Sequence, residues 1–174
     1  MGGVGGYWGV DNHTFEIRIE RLDEEDWRRW RELRLEALAE APEAFSSSLV
    51  DWAGQGDREE RWRSRFRAIP LNAIATFGGK PAGMVGATAP LNGASELVSL
   101  WVAPTARGKG VGDALVEEVA DWARSRGVAI LALNVRAANL HAVALYRRHG
   151  FLDAGPSPSG TDPHPEKRMS RSLL

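Results

Sequence analysis

Not one of the 174 residues is a cysteine, so thiol nucleophiles, disulfides and cysteine-built zinc sites are excluded, and redox chemistry does not set the compartment. An excess of charge of either sign is missing too. With 22 Lys+Arg against 23 Asp+Glu the net charge is −1, which leaves no electrostatic argument for nucleic acid or an anionic membrane as partner. No apolar stretch approaches the roughly 20 residues of a membrane-spanning helix. The glycine-rich start has neither the basic nor the apolar region of a signal peptide. The expectation is a cytoplasmic protein with a flexible glycine-rich arm at residues 1–13 and one domain at residues 14–174, long enough to bury a proper core.

What is present concentrates around Arg107-Gly108-Lys109-Gly110-Val111-Gly112. Upstream, Glu96-Leu97-Val98-Ser99-Leu100-Trp101-Val102 is rich in β-formers and is stopped by Pro104. Downstream, Val111, Leu115, Val119 and Trp122 recur at helical spacing with Glu117, Glu118, Asp121 and Arg124 between them. The loop therefore joins a strand to a helix. Glycine in a first turn costs up to about 1 kcal/mol relative to alanine, so three alternating ones are expensive for a turn alone. A helix N-terminus presents unpaired N–H groups and the positive end of the dipole, and glycines let backbone approach a ligand: an anion cradle suited to a diphosphate. A Rossmann fingerprint would need its third glycine at Asp113, and a P-loop would need Ser or Thr at Gly110. Hydride transfer and NTP hydrolysis thereby lose their main support.

The remaining pattern gives a coarse architecture. Phe15, Ile17 and Ile19 alternate with charged residues as a first strand, and Trp27, Trp30, Leu33, Leu35 and Leu38 give a helix over 24–41 that stops before Pro42. A loop at Phe45-Ser46-Ser47-Ser48 precedes a helix over 57–68. Strands at 72–77 and 81–89 flank the hairpin turn Gly78-Gly79, and Asn92-Gly93 is a second hairpin signal before the strand that ends at Val102. A strand at 129–135, a helix over 139–149, a short strand from Phe151, a loop over 155–165 and a strand over 167–173 complete the chain. Strand, helix, strand, helix after a meander predicts an α/β fold of α+β type. Its central sheet is mixed and mostly antiparallel, with a parallel pair in the middle and about four flanking helices.

Asn139 and Tyr146 lie seven residues apart on the helix over 139–149. Two turns put them on one face, about 10 Å apart along the axis, where one elongated ligand could touch both. A helix cap and a half-buried core tyrosine are the plainer readings. Here the chain resembles the GNAT superfamily of acetyl-CoA-dependent N-acetyltransferases. Arg107-x-x-Gly110-x-Gly112 is similar to its diphosphate motif, and Asn139-x-x-Ala142-x-x-Leu145-Tyr146-x-x-x-Gly150-Phe151 to its second motif at the family spacing. The likeness is close over 96–151, and over 15–89 it holds in element order only. Pro42-Glu43-Ala44-Phe45 also looks like a short segment of a bacterial subgroup.

The resemblance implies that backbone N–H groups of Arg107, Gly108, Lys109, Gly110, Val111 and Gly112 bind the CoA diphosphate, and that Leu100, Trp101 and Val102 pair strand-fashion with the pantetheine arm. Asn139 would bond that arm, and Arg148 would either reach the 3′-phosphate or be a solvated helix residue. Implied partners are acetyl-CoA as co-substrate and an amine acceptor, with no metal, nucleic acid or membrane; a homodimer is admitted.

Acetyl transfer needs a neutral amine, a stabilised tetrahedral oxyanion and a proton for the departing thiolate. An unperturbed lysine-like amine is neutral only about once in two thousand molecules at pH 7, so a base or desolvation must help. Tyr146 is the expected proton donor, since a phenol is protonated at neutral pH and comparable in acidity to an alkyl thiol. A backbone N–H near Trp101 or Val102 would meet the oxyanion. Glu96, at the start of the strand, is the preferred base, against a reading as an exposed edge carboxylate. Some family members carry their glutamate where Asn134 stands, which cannot act as a base; His164 and Glu166 are weaker candidates. The acceptor would contact the first two helices and the loop between them, where Trp27, Trp30, Phe45, Ser46, Trp52 and Trp62 gather. The competing reading is a domain that senses acyl-CoA with little turnover.

Overall fold

A computed structural model describes residues 16–157 and 165–174. The expected arm, Phe15 and His164 lie outside the described residues. In chain order the elements are β1 (Ile17–Arg21), α1 (Trp27–Glu40), α2 (Leu49–Trp52), α3 (Glu59–Ala68), β2 (Leu71–Phe77), β3 (Lys80–Ala87), β4 (Ala94–Val102), α4 (Val111–Ser125), β5 (Ile130–Arg136), α5 (Leu140–Arg148), β6 (Leu152–Pro156) and β7 (Glu166–Ser172). One sheet runs β1-β2-β3-β4-β5-β7-β6, antiparallel throughout except for the central β4–β5 pair. This is the mixed α+β sheet expected from the order of elements. No helix among the described residues is long and apolar enough to cross a membrane.

Local chemistry explains most boundaries. Asn92 and Gly93 both have positive φ, the pair of values a tight type I′ hairpin requires. The helix expected from Glu24 opens as a 3₁₀ turn over Glu24–Asp26 and becomes α-helical only at Trp27. Asp23 caps that turn, accepting from the Glu25 N–H at 2.8 Å while its own N–H donates to Asp26 at 3.2 Å. Two expectations are corrected. The Phe45–Ser48 loop leads into the single-turn helix α2, closed by a capping box in which Ser48 and Asp51 each accept from the other's backbone. The loop expected from Gly155 starts later, because β6 continues to Pro156 along β7.

The sheet separates two apolar layers. On one face α4 buries Val111, Leu115, Val116, Val119 and Trp122 against Leu71, Ala73, Val85 and Leu131, each large side chain stabilising by about 1.5–3 kcal/mol. On the other face α1 and α3 bury Trp30, Trp62 and Phe66 over Ile74, Met84 and Trp101. Asp57 ties this second layer together, accepting from Arg31 Nε at 2.6 Å and from Trp62 Nε1 at 2.9 Å. The Arg31 guanidinium, aided by Trp62, holds the Asp57 carboxyl at about 2. A carboxyl depressed on folding stabilises fully above its unfolded value, 3.8, and that contribution is lost as pH falls through the folded value. Asp57→Asn is therefore expected to lower stability by about 1–2 kcal/mol at neutral pH. In urea unfolding its deficit against the parent should shrink between about pH 5 and pH 2.

Two irregularities open the sheet at its centre. The β3–β4 register steps from Met84↔Trp101 to Gly86↔Val98, so β4 carries an extra residue, and Ser99 takes a φ of 58°. On its other edge β4 pairs with β5 only over Ala94–Glu96 against residues 130–132. Beyond Glu96 the two parallel strands part.

Candidate active site

The parting of β4 and β5 is the floor of a cleft of about 1460 Å³. Its walls are the unpaired stretch of β4, the end of β5, the loop before α4, one side of α5 along its length, and the segment 40–47 at the end of α1 and beyond. Glu96, Leu100, Trp101, Val102, Arg107, Gly108, Gly110, Gly112, Asn139, Tyr146 and Arg148 all line it. Two predicted residues do not present their side chains there: Val111 is fully buried in the core, and Lys109 places its Nζ 4.9 Å above the Phe77 ring.

The glycine loop has the backbone its spacing implied. Gly108 and Gly110 have φ of 73° and 84°, and Gly110 is the N-cap of α4 with no side chain bonding the cap. The first N–H groups of α4 are thus without a side-chain acceptor among the described residues. Gly112 cannot carry a side chain freely, since a Cβ there would lie 3.1 Å from Leu145 Cδ2 on α5. Arg107 buttresses the loop, donating from Nε to the Val102 carbonyl at 3.1 Å and from Nη2 to Glu40 at 2.6 Å. Trp101 Nε1 donates to the same Glu40 oxygen at 2.9 Å, and these two donors hold the Glu40 carboxyl below its ordinary range.

On α5 Asn139 and Tyr146 take the cap and core places of the plainer readings, and both line the cleft. Asn139 caps the helix, accepting from the Ala142 N–H at 3.1 Å, and also lines the cleft. Tyr146 is 6 % exposed and packs edge-on against Phe151 at 5.7 Å, and burial pushes its phenol well above the ordinary value. It stays protonated at neutral pH. Arg148 is already occupied: it forks onto Asp113 at 2.7 and 3.0 Å, and with His149 it lowers that carboxyl to about 2 against the effect of burial. Glu96 lies on the cleft floor with Oε1 in an ion pair to Arg168 at 2.6 Å. Asn134 lines the cleft, and Glu166 does so facing Arg136 at 3.6 Å.

The profile of the acetyltransferase (GNAT) family matches residues 19–151. The chain belongs to the GNAT family. Among curated relatives, an IAA acetyltransferase of Azospirillum brasilense is 42 % identical over 72 residues, 41 % of this chain and 47 % of the relative. The [ribosomal protein bS18]-alanine N-acetyltransferase of Escherichia coli is 40 % identical over 84 residues, 48 % of this chain and 56 % of the relative. This chain thus spans about half the length of the curated relatives it matches. The solved structure of the PaiA N-acetyltransferase of Thermoplasma acidophilum, in complex with coenzyme A, superposes with a TM-score of 0.69. It is 20 % identical, covering 90 % of this chain and 99 % of that one. That likeness is one of fold.

Within this GNAT domain Arg34 and Arg65 are among the cleft-lining residues the sequence pattern did not single out. A signal existed for Arg34. The buried positions of α1 are Trp27, Trp30, Leu33, Arg34, Ala37 and Leu38, so a charge stands in the middle of the apolar stripe.

Proposed function

We propose that this protein transfers an acetyl group from acetyl-CoA to a primary amine of a small molecule or peptide, by direct attack through a tetrahedral intermediate. The observation that carries the reading is a single cleft where β4 and β5 separate, with an uncapped, glycine-lipped helix end at one rim and a buried, protonated tyrosine in its wall. The left-handed φ at Gly110 and the closeness of Gly112 to Leu145 suit a backbone that must itself meet a diphosphate.

The residues take distinct roles. Backbone N–H groups from Arg107 to Gly112 hold the diphosphate, while Leu100, Trp101 and Val102 offer their unpaired strand edge to the pantetheine arm and an N–H to the oxyanion. Asn139 keeps a side-chain amide donor for the same arm. The thioester supplies the acetyl group; the amine nitrogen forms the new C–N bond to give the tetrahedral intermediate, and the C–S bond breaks when that intermediate collapses. Tyr146 gives its proton to the leaving sulfur and is refilled through solvent by the proton the amine sheds. Arg148 would have to release Asp113 to reach a 3′-phosphate.

Glu96 is the proposed base, acting through Oε2 or a water. Glu96→Gln is expected to reduce kcat by about 10²- to 10⁴-fold, with partial recovery at high pH where the amine is already neutral. A neutral-pH rate equal to the parent's would pass the base role to water or desolvation. The tether to Arg168 and the asparagine at 134 favour one second reading, an acyl-CoA sensor with little turnover. A panel of amines with acetyl-CoA, read as free thiol released, separates the two: transfer requires thiol release that depends on the amine.

A further inference from the structure

Two cationic side chains on the α1–α3 side of the cleft lack a counter-ion among the described residues. Arg34 is 5 % exposed, and its Nε and Nη1 have no hydrogen-bond partner among the described residues. The Phe45 ring covers its guanidinium at 4.4 Å, which meets the charge but leaves those N–H groups bare. Arg65, largely buried, donates to Asn72 Oδ1 and, at 3.0 Å, to Ser99 Oγ, and lies 4.3 Å from the Trp30 ring centroid. All of these partners are neutral.

Desolvation lowers Arg34 to about 10, and desolvation plus the neighbouring Arg34 charge lowers Arg65 to about 9, so both remain cationic at neutral pH and each feels the other. The cleft's carboxylates are engaged elsewhere: Glu40 with Arg107, Glu96 with Arg168, Asp113 with Arg148, Glu166 facing Arg136. Glu43 is exposed. Neither Arg34 nor Arg65 has a carboxylate partner among the described residues. Burying an unpaired charge is strongly unfavourable, and at this position of α1 an aliphatic residue would fill the stripe without that cost.

We propose that Arg34 and Arg65 form an anion subsite for the acceptor, which is an amine that also carries a carboxylate or phosphate group. The inference rests on the acetyl-transfer reading for its placement. The guanidiniums hold the anionic end on the α1–α3 face of the sheet, opposite α4, and so leave the amine to reach toward the parted strands. Guanidinium N–H groups favour planar oxyanions, and in a cleft shielded from water the attraction is stronger than at a surface.

The test pairs charged with neutral acceptors: α-amino acids against their carboxamides, and phosphoethanolamine against ethanolamine, which separates the two anion sources. At least one anionic amine should exceed its neutral counterpart in kcat/KM by about 10²-fold. Arg34→Met keeps most of the volume and deletes the charge; it should bring that ratio close to one while leaving the CoA-induced rise in Tm unchanged. Without ligand this variant should melt no lower than the parent, and about 2–4 °C higher if the buried charge is as costly as its missing partners imply. Equal use of neutral and anionic amines by the parent, or a preference that survives Arg34→Met, overturns the subsite while leaving acetyl transfer standing. If no amine is turned over, calorimetry of the CoA-saturated protein decides with N-acetyl amino acids, N-acetylphosphoethanolamine and their neutral counterparts. A preference for the acid form that Arg34→Met erases upholds the subsite without transferase activity. Equal binding of both forms overturns it.

Discussion

Tyr146→Phe lowers kcat by about 10²-fold or more, whatever the amine, because the thiolate leaving group is common to all acceptors. The substitution is nearly silent for the fold. The ring packs in the core and edge-on to Phe151, and the hydroxyl bonds no protein group among the described residues, so phenylalanine keeps the packing and strands no partner. Stability should change by no more than about 0.5 kcal/mol, and CoA affinity should hold. Burial raises the phenol's pKa, so it stays protonated at neutral pH but is a weaker acid than the alkyl thiol to which the sequence reading matched it. Steady-state thiol release beside a melting curve checks both halves. A phenylalanine variant with the parent's kcat would make Tyr146 a packing residue and hand the proton to solvent.

Gly110→Val removes the response to CoA. In the parent, CoA at a hundred times its Kd adds about 2.7 kcal/mol, a Tm rise of about 5–10 °C for a chain of this size, whereas ATP or NAD at the same concentration should do far less. Valine at a φ of 84° costs about 1–2 kcal/mol of backbone strain and places a branched side chain at the mouth of the α4 N-terminus. The nearest neighbour of a Cβ there is Ile17 Cδ1 at 3.6 Å, an ordinary contact, so the fold survives. A full CoA shift in the valine variant, or equal shifts with NAD and CoA in the parent, would remove the diphosphate assignment.

The strand–loop–helix unit was legible because its determinants are local: β-formers up to Val102, a proline stop, glycine spacing, then apolar residues at helical steps. The parallel pair followed from the order of elements. Other features depend on groups far apart in the chain. The bulge at Ser99 arises from the register of β4 against β3, which no local pattern encodes. Arg148 sits in a sequence that reads as solvated helix, and its capture by Asp113, 35 residues away, appears only when α4 and α5 are side by side. The tie between Glu96 and Arg168 likewise needs β7 to insert between β5 and β6. α2 is one turn held by a capping box, too short to show a period. Arg34 was readable in principle, as the exception in an apolar stripe, but its tryptophan neighbours made the helix read as plain core.

The most direct measurement follows isotope-labelled acetyl from acetyl-CoA through a panel of neutral and anionic amines, quantifying labelled product by mass spectrometry and free thiol in the same samples, for parent and Tyr146→Phe. Acetyl transfer in this cleft predicts one labelled N-acetyl amine per thiol released, with the rate down about 10²-fold in the phenylalanine variant. Tight acetyl-CoA binding with no labelled amine from any acceptor, and no difference between the two proteins, would contradict it.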